Sequence, residues 1–220
     1  MNKYQLIVFD WDGTLMDSTG HIVNCMRQAI TQLGLMPLTD NTISHIIGLG
    51  LNEAAYALYP DANAKTIEQL ANAYRDIWLS DPIETPLFSN ARNLIQSLNE
   101  QDYFLGIATG KSRNGLDKVL VSTELGPLFH ATRCASECHS KPHPQMLEEL
   151  ITYFGVDANK TLMIGDTEYD LQMAHNAGAD SLGIRHGAHD LATLQACKPK
   201  DIVADLHETE QWLHNLSPSF

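Results

Sequence analysis

The chain has 220 residues, of which 44% are hydrophobic and 19% are charged, and its formal net charge is −13 at neutral pH. These proportions are typical of a globular protein with one large domain, or one domain with an insertion. The acidic balance argues against nucleic-acid and acidic-membrane partners, and no apolar run is long enough to span a bilayer. The N-terminus leads directly into an apolar run without the pattern of a secretion signal, so we expect a cytoplasmic protein.

The first fifteen residues predict a buried strand that ends in two carboxylates. The run Leu6–Phe9 is apolar and rich in branched side chains, which suits a strand covered on both faces in a parallel sheet. Asp10, Trp11 and Asp12 follow, and in extended chain the two aspartates point to the same side. Carboxylates so close repel each other, so one would have a raised pKa unless a cation lies between them. The pair alone could equally be a solvated turn.

A helical region follows this strand. Apolar residues recur at helical spacing over 22–33, with Asp17 or Ser18 as a plausible N-cap and Gly34 as a plausible stop. No alternation typical of a strand is present over 17–79. The sequence therefore predicts an all-helical insertion placed directly after the first strand.

The insertion ends in a segment that reads as a linker. A second amphipathic helix is predicted over 67–78, and the following SDPIETP segment has the prolines and acidic residues of a connection. We therefore predict a catalytic core formed by residues 1–15 and 86–220. Residues 16–85 would form a helical cap domain with its linkers.

Beyond the linker, strand patterns alternate with helix patterns to the end of the chain. Strands are predicted over 103–109, 129–133, 161–164, 181–184 and 202–203. Helices are predicted over 91–98, 113–120 and 146–154, and over 208–216 near the end of the chain. Another is predicted from the end of the 161–164 strand to about residue 177. This alternation predicts an α/β protein with a doubly wound parallel sheet.

Three of the later strands are also followed by polar residues. Thr109 and Gly110 end one strand before a helix and suit an anion site, Lys141 precedes the next helix, and Asp166 and Asp170 follow a third strand. Each feature has an ordinary explanation: a turn, a solvated lysine, or an acidic start to a helix. Because parallel strands end at one edge of the sheet, we expect these side chains to converge with the first two aspartates.

The segments DWDGTL, ATGKS, KPHP and GDTEYD resemble the four ordered motifs of the haloacid dehalogenase (HAD) superfamily. The resemblance spans the whole βα part of the chain, and the helical insertion is similar to the small helical cap of that superfamily. Within it, the chain is most similar to the phosphoglycolate phosphatase-like group of Mg²⁺-dependent phosphatases. The resemblance implies hydrolysis of a small phosphorylated metabolite with Mg²⁺ as cofactor.

The resemblance also implies a role for each residue that matches a motif. Asp10 would be the nucleophile that takes the phosphoryl group as an aspartyl-phosphate. Asp12 would protonate the leaving alkoxide and then deprotonate the attacking water. Thr109 would hydrogen-bond the phosphoryl oxygens beside Gly110, and Lys141 would hold the nucleophile and the phosphate together.

By the same resemblance, Mg²⁺ would be held by the Asp10 carboxylate, the Asp12 backbone carbonyl and Asp166, with Asp170 behind it. These roles agree with phosphoryl-transfer chemistry, which depends mainly on in-line positioning and charge neutralisation. Trp11 is a departure from the aliphatic residue or phenylalanine more usual between the two aspartates. We expect it to alter packing beside them and to leave the carboxylates themselves unchanged.

The helical insertion would close over the site and select the substrate, with the loop over 48–53 facing it. Arg27, Lys65 and Arg75 are the cationic residues of the sequence over 16–79. Binding of a highly charged sugar bisphosphate would require more cationic residues than these three. The sequence does not specify the substrate or the oligomeric state.

Cys134, Cys138, His139 and His143 mimic a zinc site in composition. Their spacing is not that of two separated zinc knuckles, and they surround the segment that contains Lys141, so we expect them to bind no zinc. The four cysteines of the chain lack the density of a disulfide scaffold. We expect the other histidines to be structural or on the surface.

Other functions use similar residues. A phosphomutase or a pyrophosphatase of the same superfamily remains an alternative, although Gly13 and Thr14 look more typical of a phosphatase. A phospho-receiver signalling module also uses acidic residues, a hydroxyl and a lysine on a parallel sheet. Such modules are shorter, lack a helical insertion and would hold a long-lived phosphoaspartate without turnover.

Overall fold

The structure is a computed structural model that describes residues 3–81 and 83–216. Six strands form one sheet in the order β3-β2-β1-β4-β5-β6, and every pair of neighbours is parallel. The strands are β1 Leu6–Phe9, β2 Phe104–Thr109, β3 Ala131–Cys134, β4 Thr161–Gly165, β5 Asp180–Ile184 and β6 Asp201–Val203. The predicted α/β class and doubly wound parallel sheet are confirmed.

Helices follow β1 and alternate with the later strands. They are α1 Thr19–Gln32, α2 Asp40–Ser44, α3 Leu51–Leu58, α4 Ala64–Ser80, α5 Ala91–Glu100, α6 Arg113–Ser122, α7 Gln145–Phe154, α8 Glu168–Asn176, α9 Leu191–Ala196 and α10 Leu206–Leu216. Short 3-10 turns occur at Gly126–Leu128 and Ala158–Lys160. Over the described ranges, none of the helices has the length and apolar character needed to cross a membrane.

Strand β1 lies in the middle of the sheet and is buried on both faces. Ile7 and Phe9 belong to one hydrophobic cluster, whereas Leu6 and Val8 belong to another on the opposite face. This explains a continuous apolar run where a half-exposed strand would alternate. The backbone N–H of the next residue, Asp10, donates to the Ile164 carbonyl at 3.0 Å, so the end of β1 is held beside the end of β4.

Helices α1 to α4 surround a hydrophobic cluster of their own, which includes Met26, Ile43 and Leu70. Helix α1 begins after Ser18 and ends before Gly34, whose φ of 64° is the left-handed conformation that glycine tolerates best. These predicted bounds of α1 are confirmed. The Ser18 hydroxyl does not cap the helix, because it donates to the Asp12 carboxylate at 2.6 Å.

Strand β3 and helix α9 differ from the prediction in ways that the packing explains. Strand β3 covers Ala131–Cys134 rather than 129–133, because Phe129 packs against the main hydrophobic cluster before the strand begins. Helix α9 was not predicted. It is six residues long and buries only Leu194, which is too little for a helical period to appear in the sequence. Pro82, in the predicted linker, lies outside the described residues.

Candidate active site

A cavity of about 380 Å³ lies between the carboxyl edge of the sheet and the helical region. The sheet contributes Asp10, Asp12 and Thr109 to its wall, and the helical region contributes Trp78 and the loop over 48–53. Several of the side chains singled out in the sequence therefore meet at one place. The parallel topology explains this, because β1, β2 and β4 all end at that edge.

Asp10 is almost completely buried, with 1% of its surface exposed. The Lys141 Nζ atom lies 2.8 Å from its Oδ1 atom, and donates a well-aligned hydrogen bond to Asp170 Oδ1 at 2.6 Å. Neither oxygen of Asp10 receives an aligned hydrogen bond from the residues that the structure describes. One buried ammonium is thus shared by two carboxylates, and the oxygens of the first remain under-satisfied.

Asp166 follows β4 directly and is completely buried. Its Oδ1 atom accepts from the Thr14 hydroxyl at 2.7 Å, and its Oδ2 atom accepts from the Ala188 N–H at 2.7 Å. A Cβ atom at Gly13 or Gly187 would overlap this carboxylate. The sequence around Asp166 therefore leaves room for the carboxylate and holds it in one orientation.

Asp170 lies in the first turn of α8. Its Oδ2 atom accepts from the Thr167 N–H at 3.2 Å and from the Thr167 hydroxyl at 2.7 Å, which satisfies the start of the helix. The helix begins at Glu168, so Asp166 precedes it. The expectation that the two aspartates share a helix face is therefore wrong. They approach each other because Thr167 between them is extended, with φ −122° and ψ 155°.

Carboxylate oxygens of Asp10, Asp166 and Asp170 all lie within 4.8 Å of one another. Burial, reinforced by Asp170 and Asp166, raises the pKa of Asp10 well above its usual range, and burial with Asp170 raises the pKa of Asp166 to about 7. Burial lowers the pKa of Lys141, but Asp10 and Asp170 raise it by more, so this lysine is charged. The expected repulsion exists, but it comes from these later aspartates rather than from Asp12.

Asp12, two residues after Asp10, has a different environment. The Lys111 Nζ atom lies 2.8 and 2.9 Å from its two carboxylate oxygens, and the Ser18 hydroxyl donates to Oδ1 at 2.6 Å. The same ammonium lies 5.1 Å from the centre of the Trp78 ring, at cation–π distance. Sequence reasoning gave Lys111 no role of its own. Its position two residues beyond the threonine that ends β2 is the signal that could have found it.

Thr109 ends β2, is 1% exposed and accepts a hydrogen bond from the Lys111 N–H at 3.2 Å. Gly110 follows it, and a Cβ atom there would overlap the backbone carbonyls of Gly48 and Leu49. Glycine is therefore needed where the helical region approaches the sheet edge.

Several hydrogen bonds join the helical region to this edge. The Gly50 N–H donates to the Ser140 hydroxyl at 2.8 Å. The buried His189 accepts from the Glu168 N–H at Nδ1, 3.1 Å, and its Nε2 atom lies 3.0 Å from the His45 carbonyl. With one nitrogen accepting and the other donating, the imidazole is neutral, and burial lowers its pKa. His189 is thus a structural histidine, as expected.

The cysteine and histidine residues around Lys141 do not form a ligand group. Cys134 packs in the main hydrophobic cluster, Cys138 packs against the cluster under α7, and the rings of His139 and His143 lie 4.4 Å apart. Among the described residues, three other groups bring at least three potential ligand atoms together, and none contains these side chains. That this segment binds no zinc stays a prediction.

Comparisons with known proteins identify relatives of this chain in both sequence and fold. The family model of haloacid dehalogenase-like hydrolases matches residues 7–184. The chain is 31% identical to the probable phosphatase IndB of Dickeya dadantii, over 96% of this chain and 94% of that protein. It is 28% identical to a phosphoglycolate phosphatase of Aliivibrio fischeri, over 91% and 92% respectively.

Solved structures share the fold of this chain. The crystal structure of a hydrolase from Pseudomonas syringae superposes with a TM-score of 0.88 over 99% of this chain and 100% of that one. At 19% identity, this similarity concerns the fold alone. The family model matches most of the chain, and the sheet and the ordered motifs agree with it. The chain therefore belongs to the haloacid dehalogenase-like hydrolases.

Proposed function

We propose that the protein is a Mg²⁺-dependent phosphatase that hydrolyses a small phosphomonoester through an aspartyl-phosphate intermediate. One observation carries the proposal: Asp10, which lines the cavity, lies with Asp166 and Asp170 around a single buried ammonium, that of Lys141. Three carboxylates against one lysine leave an excess of negative charge that burial makes costly. A bound divalent cation would remove this excess.

The residues present fit a hard cation with oxygen ligands. Both oxygens of Asp10 lack aligned hydrogen bonds from the described residues, and Asp166 is held in one orientation beside them. We propose that these two carboxylates and the Asp12 backbone carbonyl hold Mg²⁺, with Asp170 behind them. When bound, Mg²⁺ supplies charge neutralisation for the phosphoryl oxygens.

The chain's own side chains would carry the two chemical steps. In the first, an oxygen of Asp10 attacks phosphorus in line, the ester P–O bond breaks, and Asp12 protonates the leaving alkoxide. In the second, Asp12 takes a proton from water, the resulting hydroxide attacks phosphorus, and Asp10 is released. Thr109, Gly110 and Lys141 would bind the phosphoryl oxygens during both steps.

We further propose that residues 16–85 form a cap on a core made of residues 1–15 and 86–220. The separate hydrophobic cluster of α1 to α4 supports this division. The close approach of Gly48 and Leu49 to Gly110 supports a role for the loop over 48–53 in excluding water and contacting the leaving group.

The substrate would be a small phosphorylated metabolite. The name of the Aliivibrio relative supports phosphoglycolate as the first compound to test. The cavity volume of about 380 Å³ suits a small ester, and its wall includes the cationic residues Arg75, Lys111 and Lys118. We also propose a cytoplasmic location for the protein. Pyrophosphatase, phosphomutase and receiver activities are the alternatives.

Phosphate release from a broad panel of phosphorylated metabolites, with and without Mg²⁺, tests the proposal. The panel includes phosphoglycolate, pyrophosphate, sugar phosphates and nucleotides. We expect one small monoester to stand well above the rest, and only with Mg²⁺. Release that persists after chelation would overturn the metal's role. No release from any ester, with a long-lived phosphoaspartate on the protein, would favour the receiver alternative.

A further inference from the structure

A second group of potential metal ligands lies away from the Asp10 cluster, at the base of the helical region. His21 and Cys25 are one turn apart on α1, and Asp81 follows the end of α4. The His21 Nδ1 atom lies 3.8 Å from both Cys25 Sγ and Asp81 Oδ2, and the Nε2 atom lies 3.7 Å from the same sulfur. The sulfur thus faces the ring between its two nitrogens, and the imidazole has to turn for Nδ1 to share an ion with it. One ligand atom from each residue lies within 4.8 Å of the other two.

These side chains are removed from water, and the atoms that face one another are weakly paired, although Asp81 Oδ1 accepts from the Ile83 N–H at 3.1 Å. Cys25 is fully buried, and the side chains of His21 and Asp81 are only 6% and 18% exposed. A nitrogen-to-oxygen distance of 3.8 Å is too long for a hydrogen bond, and a thiol is a weak partner. Within the described ranges, the His21 ring has no nitrogen or oxygen atom at hydrogen-bond distance. Buried polar groups normally have such a partner.

The separations suit a shared cation better than direct pairing. In a tetrahedral zinc site with the usual metal–ligand bond lengths, the ligand atoms lie about 3.4–3.6 Å apart. The distances of 3.8 Å from the His21 nitrogen to the sulfur and to the oxygen are a few tenths of an ångström longer. Thiolate, imidazole and carboxylate are also the three ligand types that zinc takes in proteins.

We propose that His21, Cys25 and Asp81 bind one Zn²⁺ ion, with water as the fourth ligand. Burial raises the pKa of the Cys25 thiol to about 11, so the metal-free thiol is protonated and binding releases this proton. This assignment departs from the expectation that the histidine on α1 is merely structural or at the surface.

The position of the site indicates what the ion would do. His21 lies in the first turn of α1, where the chain enters the helical region, and Asp81 lies where it leaves after α4. The ion would therefore join the two ends of that region. The Trp78 ring packs on His21 at 4.4 Å and also lines the main cavity. Zinc would stabilise this junction and the cavity wall beside it.

Cobalt substitution tests the site without relying on activity. The protein is titrated with Co²⁺ in excess Mg²⁺, which occupies the carboxylate cluster, and near-ultraviolet absorption reports thiolate-to-cobalt charge transfer. We expect one equivalent of Co²⁺ to produce this band and one equivalent of Zn²⁺ to remove it. Cys25→Ala should abolish the band, whereas the matched controls Cys138→Ala and Cys197→Ala should keep it.

A second variant guards against a folding defect at the buried cysteine. Asp81→Asn, in a partly exposed position, should weaken Zn²⁺ binding at least about tenfold, measured by competition with a chromophoric chelator. Zn²⁺ should raise the thermal midpoint of the wild-type protein and leave that of Cys25→Ala unchanged. Absence of the band, or a band that survives Cys25→Ala, would overturn the proposal.

Discussion

Two lysine–carboxylate pairs lie on either side of the Asp10–Trp11–Asp12 segment, and they differ in charge balance. Lys111 neutralises one carboxylate, Asp12, and keeps about a tenth of its side chain exposed. Lys141 is completely buried and contacts both Asp10 and Asp170, with Asp166 nearby.

The first pair is complete within the chain, whereas the second retains a negative surplus. This difference supports the proposed cation beside Asp10 and Asp166. The first pair instead holds the Asp12 carboxylate in one orientation beside the cavity. Substitutions in each pair test this contrast.

Asp10→Asn should reduce turnover at least about 10³-fold, because the amide cannot act as the nucleophile. The measurement is phosphate release from the best ester of the panel at saturating Mg²⁺. A normal unfolding transition for the variant would show that the loss is chemical. Appreciable remaining activity would contradict the assignment of Asp10.

Lys141→Met should lower the free energy of unfolding by about 3–5 kcal/mol, because it leaves buried carboxylates without their partner. Urea denaturation in a chelating buffer measures this. The matched control is Lys111→Met, for which we expect a loss of about 1.5 kcal/mol, since Ser18 still donates to Asp12. Equal losses for the two variants would remove the proposed difference between the pairs.

Stability without metal should depend on pH through Asp166. Its pKa of about 7 in the folded protein exceeds the ordinary value of 3.8, so the folded state holds this proton more tightly than the unfolded state. The stabilisation is fully present below about pH 4 and is lost as the pH rises to about 7. Relative to Asp166→Asn, the wild-type protein should lose on the order of 2–4 kcal/mol over this range.

Urea denaturation in chelator at a series of pH values measures this difference, and parallel pH profiles for the two proteins would contradict it. Mg²⁺ should reverse the loss near neutral pH. At a concentration one hundred times its dissociation constant, it should add about 2.7 kcal/mol to the wild-type protein and much less to the variant.

Lys111→Met should lower kcat about tenfold, because Asp12 loses the contact that fixes its orientation toward the leaving group. Steady-state kinetics with and without the substitution measure this. Lys65→Met, which changes an exposed lysine outside the cavity wall, is the matched control and should leave kcat nearly unchanged. Identical effects of the two substitutions would indicate only a general loss of positive charge.

Most of the fold could be predicted from the sequence, because the patterns that indicate strands and helices are local. The run Leu6–Phe9 predicted a doubly buried strand, and helical spacing with Ser18 and Gly34 predicted the bounds of α1. The order of strand ends also predicted which polar residues meet, since parallel strands all end at one edge. Helix α9 left too weak a period to be predicted.

Side-chain pairing depended on tertiary structure. Ser18 reads as a helix cap, yet its hydroxyl binds Asp12, because the turn after β1 brings that carboxylate closer than the helix N–H groups. Lys111 reads as part of a turn, yet it neutralises Asp12. Asp166 meets Asp170 through an extended Thr167 rather than through a helix face.

The class of fold, the family and most of the polar residues at the sheet edge could thus be predicted from the amino-acid pattern alone. Which lysine pairs with which aspartate, and where negative charge is in excess, depends on the tertiary structure. It also brought Asp81 beside His21 and Cys25, from residues 56 to 60 positions apart in the chain. Periodicity reflects which face of an element is buried, whereas the balance of charges depends on distances between elements that no local pattern records.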